Sequence, residues 1–313
     1  MAAGSTATQN RDKRCDDPSS KVAETALTTE DQRGFRRARP AALAMALLNA
    51  GLLVAWVVLD LTMPAVVPAA DTTGFPGFVP PILALGAIGF LLMLRRPNNP
   101  VGWLLGGSGA LFSLQFLGSA YQYHVLYVAD LPQALLVPMA VSSILWALAI
   151  PMILIIVPLV FPDGRLLSRR WRPLIWLAVA AGTAMVVSIA LDPAMIGDSH
   201  RKAPNPIGIA GAHDLSTALS IGFVAIVPLM VAAAVSLGIR YHRADSDLRR
   251  QLRWFIAAVF LAILAMLLAT ITKFGPLARV GLPAALMALP VSIGIAVLKY
   301  RLYDIDIVIN RTV

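Results

Sequence analysis

The stretch Leu215–Ile239, LSTALSIGFVAIVPLMVAAAVSLGI, runs 25 residues without an ionisable side chain. A helix needs about 17–25 predominantly apolar residues to cross the hydrocarbon of a bilayer. Helix is the forced choice, because in hydrocarbon each backbone N–H and C=O must be bonded within its own segment. Working outward, seven further stretches read the same way: Ala41–Leu61, Phe78–Leu94, Val101–Leu117, Ala134–Phe161, Pro173–Leu191, Phe255–Ile271 and Gly281–Leu298. No span core holds a carboxylate, Lys, Arg or His, and Asp60 sits at the outer end of the first span. The chain is 58% hydrophobic and 14% charged, where soluble domains carry roughly 25% charged residues. The expected fold class is all-α: a polytopic membrane protein, a bundle of about eight transmembrane helices.

The net charge of +9 resembles a nucleic-acid signal until the charges are placed. With the N-terminus inside, 22 of the 26 Lys and Arg fall on the cytoplasmic side, leaving Arg201, Lys202, Lys273 and Arg279 outside. That is the positive-inside bias. It predicts both termini in the cytoplasm, a lipid bilayer as partner and no nucleic acid. Residues 1–40 contain no apolar run that would make a signal peptide. Their mixed charge predicts a disordered cytoplasmic tail, ending in the basic collar Arg33-Gly-Phe-Arg-Arg-Ala-Arg39. Residues 41–298 form the membrane domain, and 299–313 a cytoplasmic juxtamembrane segment. Cys15 is alone, so no disulfide forms within one chain.

Chemistry is sparse. Both glutamates, Glu24 and Glu30, lie in the tail. There is no nucleophile–base arrangement and no phosphate loop. Gly208-Ile-Ala-Gly211 lacks the strand that a dinucleotide site needs. The chain therefore carries no evident catalytic residue and no cofactor motif. The second outer loop gathers Tyr121, Tyr123, His124 and Tyr127. These suit an interfacial aromatic belt, and are also the candidates for sensing a ligand. The third outer loop, Asp192–Asp214, contains His200, His213 and Asp214, whose spacing matches no zinc motif. Gly102, Gly106 and Ala110 recur at four-residue spacing in the third span, which predicts close approach of a neighbouring helix. Pro138, Pro151 and Pro158 predict kinks in the fourth. Ser246 with Asp247 is expected to cap a short helix in the third inner loop.

Five loop motifs occur in order at membrane edges: Arg95-Arg-Pro-Asn-Asn-Pro-Val-Gly-Trp-Leu-Leu105, Phe161-Pro-Asp-Gly-Arg-Leu-Leu-Ser-Arg-Arg-Trp-Arg-Pro173, Asn205-Pro-Ile-Gly-Ile209, Arg249-Arg-Gln-Leu-Arg-Trp-Phe255 and Tyr300-Arg-Leu-Tyr-Asp-Ile-Asp306. With this ordered set, residues 40–313 resemble the N-terminal membrane-sensor half of bacterial sensor histidine kinases. The resemblance implies a membrane-embedded input module for two-component signal transduction in the bacterial cytoplasmic membrane. It implies as partners a histidine kinase core, in cis or in trans, and a second copy of the chain as a homodimer. The family's phosphoacceptor and ATPase residues have no counterparts here, so none is carried over. Tyr300, Arg301, Tyr303, Asp304 and Asp306 would form the output segment, expected as a helix or turn continuing span 8. The stop at Val313 falls about where the family's next span begins, which suggests a truncated chain, a split gene product or an input module without its own kinase. Two other readings stand beside this one: a transporter or channel subunit for a small solute, and a non-signalling membrane scaffold or truncated remnant.

Overall fold

The computed structural model of the chain describes residues 18–62, 76–128, 136–142, 144–193, 195–197, 202–272 and 276–309. Its helices are α1 (Pro18–Leu61), α2 (Val79–Arg95), α3 (Pro100–Val128), α4 (Leu136–Ser142), α5 (Trp146–Pro151), α6 (Val157–Val160), α7 (Arg172–Leu191), α8 (His213–Leu219), α9 (Ile221–Arg243), α10 (Ser246–Ile271) and α11 (Pro276–Ile309). Six apolar helical segments among the described residues are long enough to span a bilayer, and Val79–Arg95 and Val280–Ala296 add two shorter ones. The chain is an all-α, polytopic membrane bundle.

The pattern of burial identifies the solvent. Leu47, Leu61, Val224, Phe260 and Ile271 face outward, while Asn49, Ser113, Ser188, Ser216, Arg240 and Ser292 are buried. Apolar surface of this extent is stable only against lipid. The interior polar groups are largely matched to backbone: the Ser188 hydroxyl donates to the Ser216 carbonyl at 2.8 Å, and Ser216 returns the bond to Ser188 at 3.0 Å.

Several boundaries depart from expectation. Helix α1 begins at Pro18, inside the tail expected to be disordered. Helix α3 continues to Val128, so Tyr121, Tyr123, His124 and Tyr127 lie on its last turns and not in a loop. Helix α10 runs unbroken from Ser246, and its cap is Asp245, whose Oδ1 accepts the Leu248 amide at 3.1 Å. The expected capping pair, Ser246 and Asp247, sits one residue too late and forms the first turn. The loop between α7 and α8 contains a two-stranded antiparallel pair, β1 (Met195–Gly197) with β2 (Lys202–Pro204), a small departure from an all-helical chain.

The fourth span is the most altered. It is built from α4, α5, a π-helical turn at Met152–Ile156 and α6. The Val157 amide reaches back five residues, to the Met152 carbonyl. Ile153, Leu154 and Ile155 are consecutive and all buried. A lipid-facing helix would expose at least one of the three. This span passes through the middle of the bundle, with α3, α7 and α9 around it.

Helices α1, α2 and α3 pack against one another as a three-helix cluster, and α10 and α11 form a hairpin whose α11 rests on α2. The approach of α2 to α3 depends on glycine. A Cβ on Gly89 would lie 2.5 Å from the Gly106 amide nitrogen, and one on Gly102 would lie 2.8 Å from the Met93 nitrogen. The small-residue spacing of the third span therefore serves helix contact. Gly89→Val is expected to cost about 1–3 kcal/mol of stability by overpacking. Gly281→Ala, with nothing within 4 Å, should stay within about 0.5 kcal/mol. Thermal unfolding in detergent measures both, and equal midpoints would refute the contact.

Candidate functional site

Three of the motif-bearing loops meet at one end of the bundle. The first turn, Arg96–Pro100, leads into α3 through Asn99. The Asn99 Oδ1 accepts the Val101 amide at 3.0 Å, and Pro100 occupies the first helical position. This is a side-chain cap at a helix start, with a proline where no N–H is needed. The other end of the same amide reaches the second loop, donating from Nδ2 to the Pro162 carbonyl at 2.8 Å.

The second loop turns sharply at Gly164, whose φ is +73°. That region favours glycine. A Cβ here would also collide with Pro100 and lie 2.7 Å from Asn99 Oδ1. Phe161 at the head of this turn is fully buried against Phe255 of α10, with ring centroids 4.2 Å apart.

Arg240, near the end of α9, completes the joint. Its Nη2 donates to the Leu159 carbonyl at 3.1 Å and to the Arg165 carbonyl at 2.8 Å. Leu159 lies in the last turn of α6, where carbonyls lack intrahelical partners. Arg240 therefore caps the fourth span from another helix. Burial works against its charge, and the Asp163 carboxylate favours it. Arg95, Arg96, Arg165, Arg169, Arg170, Arg172, Arg243, Arg249, Arg250 and Arg253 at this end are exposed, and Arg240 alone among the described arginines there is buried. Close by, Arg249 lies 5.6 Å above the Tyr241 ring and donates to the Ala244 carbonyl at 3.1 Å.

Three tryptophans that follow arginine pairs, Trp103, Trp176 and Trp254, separate in role. Trp176 and Trp254 are exposed at 72% and 57%, as membrane-interface anchors are. Trp103 instead is half-buried and donates from Nε1 back to the Pro97 carbonyl of the preceding turn at 3.0 Å.

At the opposite end, His124 Nε2–H donates to the Leu59 carbonyl at 3.0 Å. This assigns the proton to Nε2 and makes His124 a cap for the last turn of α1. Tyr123 is buried and Tyr121 half-buried, while the Tyr127 side chain lies outside the described residues. The His124 bond ties α3 to α1, and Tyr123 is not part of an exposed belt. His213 is exposed, with Nδ1 3.7 Å from Asp192 Oδ1. Asp214 lies in the first turn of α8, and His200 is outside the described residues. Among the described residues no three His, Cys, Asp or Glu side chains converge. In the same loop, the Asn205 Nδ2 donates to the Asp192 carbonyl at 2.7 Å, closing the end of α7. Residues Tyr300, Arg301, Tyr303, Asp304 and Asp306 lie within α11, which continues to Ile309. Their side chains are outside the description.

The joint at the arginine-rich end holds backbone carbonyls and contains no reacting pair of side chains. Its physical effect is to link the loops between α2 and α3 and between α6 and α7 to the end of α9. Sequence reading placed the motifs at membrane edges but missed Arg240 as their connector. The available signal was an arginine one residue past an uncharged 25-residue span.

Arg240→Ala removes a charged donor from two carbonyls and should cost about 1.5–3 kcal/mol. The exposed Arg243→Ala should change stability by no more than about 0.5 kcal/mol. Unfolding midpoints in detergent compare the two, and the same small change in both would remove Arg240 from this role.

Compared with protein-family models, curated proteins and solved structures, the chain matches none.

Proposed function

We propose that the chain is a membrane-embedded input module for transmembrane signalling, set in the bacterial cytoplasmic membrane with both termini in the cytoplasm. The observation that carries this reading is the fourth span. It is buried at the centre of the bundle, changes hydrogen-bond register at Met152–Ile156, and is tied by Arg240 to the arginine-rich end. Single π-turns inside helices recur at functional sites. In this reading the register change is the element whose arrangement a stimulus would bias.

Contacts run on from α9 to α10 and from α10 to α11. The last helix is 34 residues long, about 51 Å at 1.5 Å per residue. That exceeds the roughly 30 Å of hydrocarbon, so its last turns stand clear of the bilayer. A shift in the fourth span would leave the membrane through this helix, toward a kinase core in cis or in trans.

Two measurements test the reading. In a Cys15→Ser background, Asp163→Cys should react with an impermeant thiol reagent only from the cytoplasmic side and His213→Cys only from outside. The reverse labelling would overturn the orientation. For signalling, the whole chain is fused after Val313 to a histidine-kinase core in liposomes. Arg240→Ala and Leu154→Ala, checked for retained folding, should change autophosphorylation about fivefold or more, the lower range of allosteric coupling. Output indifferent to both substitutions and to changes in bilayer composition would sink the proposal. Solute flux through unfused protein would favour the transporter reading in its place.

A further inference from the structure

One column on the outward face of α7 begins with cations and continues in hydrocarbon. Arg169, Arg170 and Trp171 form a 3-10 turn, and the Arg172 amide donates to the Arg169 carbonyl where α7 starts. Side chains three apart eclipse in such a turn, so Arg169 and Arg172 share a side. Down α7 from Arg172, the same stripe passes through Trp176, Val179 and Thr183 at helical spacing. All five residues are exposed, Trp176 to 72%. The opposite face, with Ala178, Ala181, Gly182 and Met185, is buried in the bundle. The column therefore faces lipid. From Arg172 to Thr183 it rises about 16 Å at 1.5 Å per residue, about half of the roughly 30 Å of hydrocarbon.

The cations of this column lack a carboxylate of their own. Among the described residues, none of Arg169, Arg170 and Arg172 pairs with one. The first turn of α7 has no acid. The only acid of the preceding loop, Asp163, is the charge that favours Arg240. Helix α10 offers the contrast. Arg250, Trp254, Ala257, Leu261 and Leu264 repeat the exposed stripe there, but Asp245 stands at its start and Arg250 is already engaged within the chain.

A positive-inside bias needs only charge near the membrane. It does not require guanidinium groups stacked above an exposed indole. Guanidinium groups fork onto phosphate oxygens, and an indole suits the level between headgroup and chain. Phosphate above and hydrocarbon below, in one molecule, is a phospholipid. A headgroup with its own ammonium would bring a further cation to three arginines, so the surface fits a headgroup of net negative charge.

We propose that the start of α7 binds an anionic phospholipid, its phosphate on Arg169 and Arg172 and one acyl chain along Trp176, Val179 and Thr183. The proposal stands on this surface and does not require the signalling reading. Lipid binding and kinase output are read separately, so each can fail without the other.

The test uses the full chain in phosphatidylcholine liposomes, with Trp254→Phe leaving Trp176 as the one exposed tryptophan. Phosphatidylglycerol brominated in its chains should quench Trp176 with about tenfold higher apparent affinity than phosphatidylcholine brominated likewise, the effect of about one charge-assisted bond. Arg169→Gln with Arg172→Gln should bring the two lipids within about twofold of each other. Arg95→Gln with Arg243→Gln removes the same charge from the same end and should leave the preference in place. All four sites are exposed, so both variants should fold, as unfolding midpoints will verify. Glycerol 3-phosphate, a headgroup without chains, should not displace the lipid. Equal quenching by the two lipids would overturn the proposal. So would the same loss in both double variants, which would assign the preference to the diffuse charge of the whole end. Displacement by glycerol 3-phosphate would make this a site for free phosphates and remove the phospholipid.

Discussion

Backbone carbonyls in hydrocarbon have no water to turn to, and the rest of this structure follows from how they are satisfied. Regular helix serves most of them. At helix ends, in loops and once inside a helix, side chains from elsewhere add further bonds. Arg240 serves Leu159 and Arg165, Asn49 serves Gly106, His124 serves Leu59, Asn99 serves Pro162, and Asn205 serves Asp192. Each bond spans two elements, so one contact both satisfies a backbone group and locates one helix against another.

The same constraint explains the centre of the bundle. Pro151 and Pro158 would be poor choices in a helix facing lipid, since each removes a backbone donor. In the fourth span they are surrounded by protein, and Pro151 itself packs near Gly182 of α7. The π-turn between them absorbs the change of register while Ile153, Leu154 and Ile155 stay buried. The least regular span is thus the most enclosed, and its exit is capped by an arginine on another helix.

The functional motifs were legible only in part. The turns at Arg96–Pro100 and Phe161–Arg165 announce themselves through Pro, Asn, Asp and Gly. Their meeting does not, because Asn99 and Pro162 are 63 residues apart and their bond depends on how two hairpins dock. His124 among tyrosines reads as an interfacial belt from local composition. Its role as a cap for α1 required the carbonyl of Leu59, 65 residues away. Asn49 carried a signal that sequence reading passed over: a lone amide in an apolar span has to find partners.

Composition and the length of its apolar runs by themselves determined that this chain is a helical membrane protein, and roughly where each span lies. Hydrophobicity and segment length are local, additive properties, so they survive in one dimension. Tertiary structure decided which span sits at the centre, where helix α3 ends, which arginine is buried and which polar side chains are enclosed. Those outcomes depend on helix faces brought together across long sequence separations, where a glycine or a single donor sets the distance.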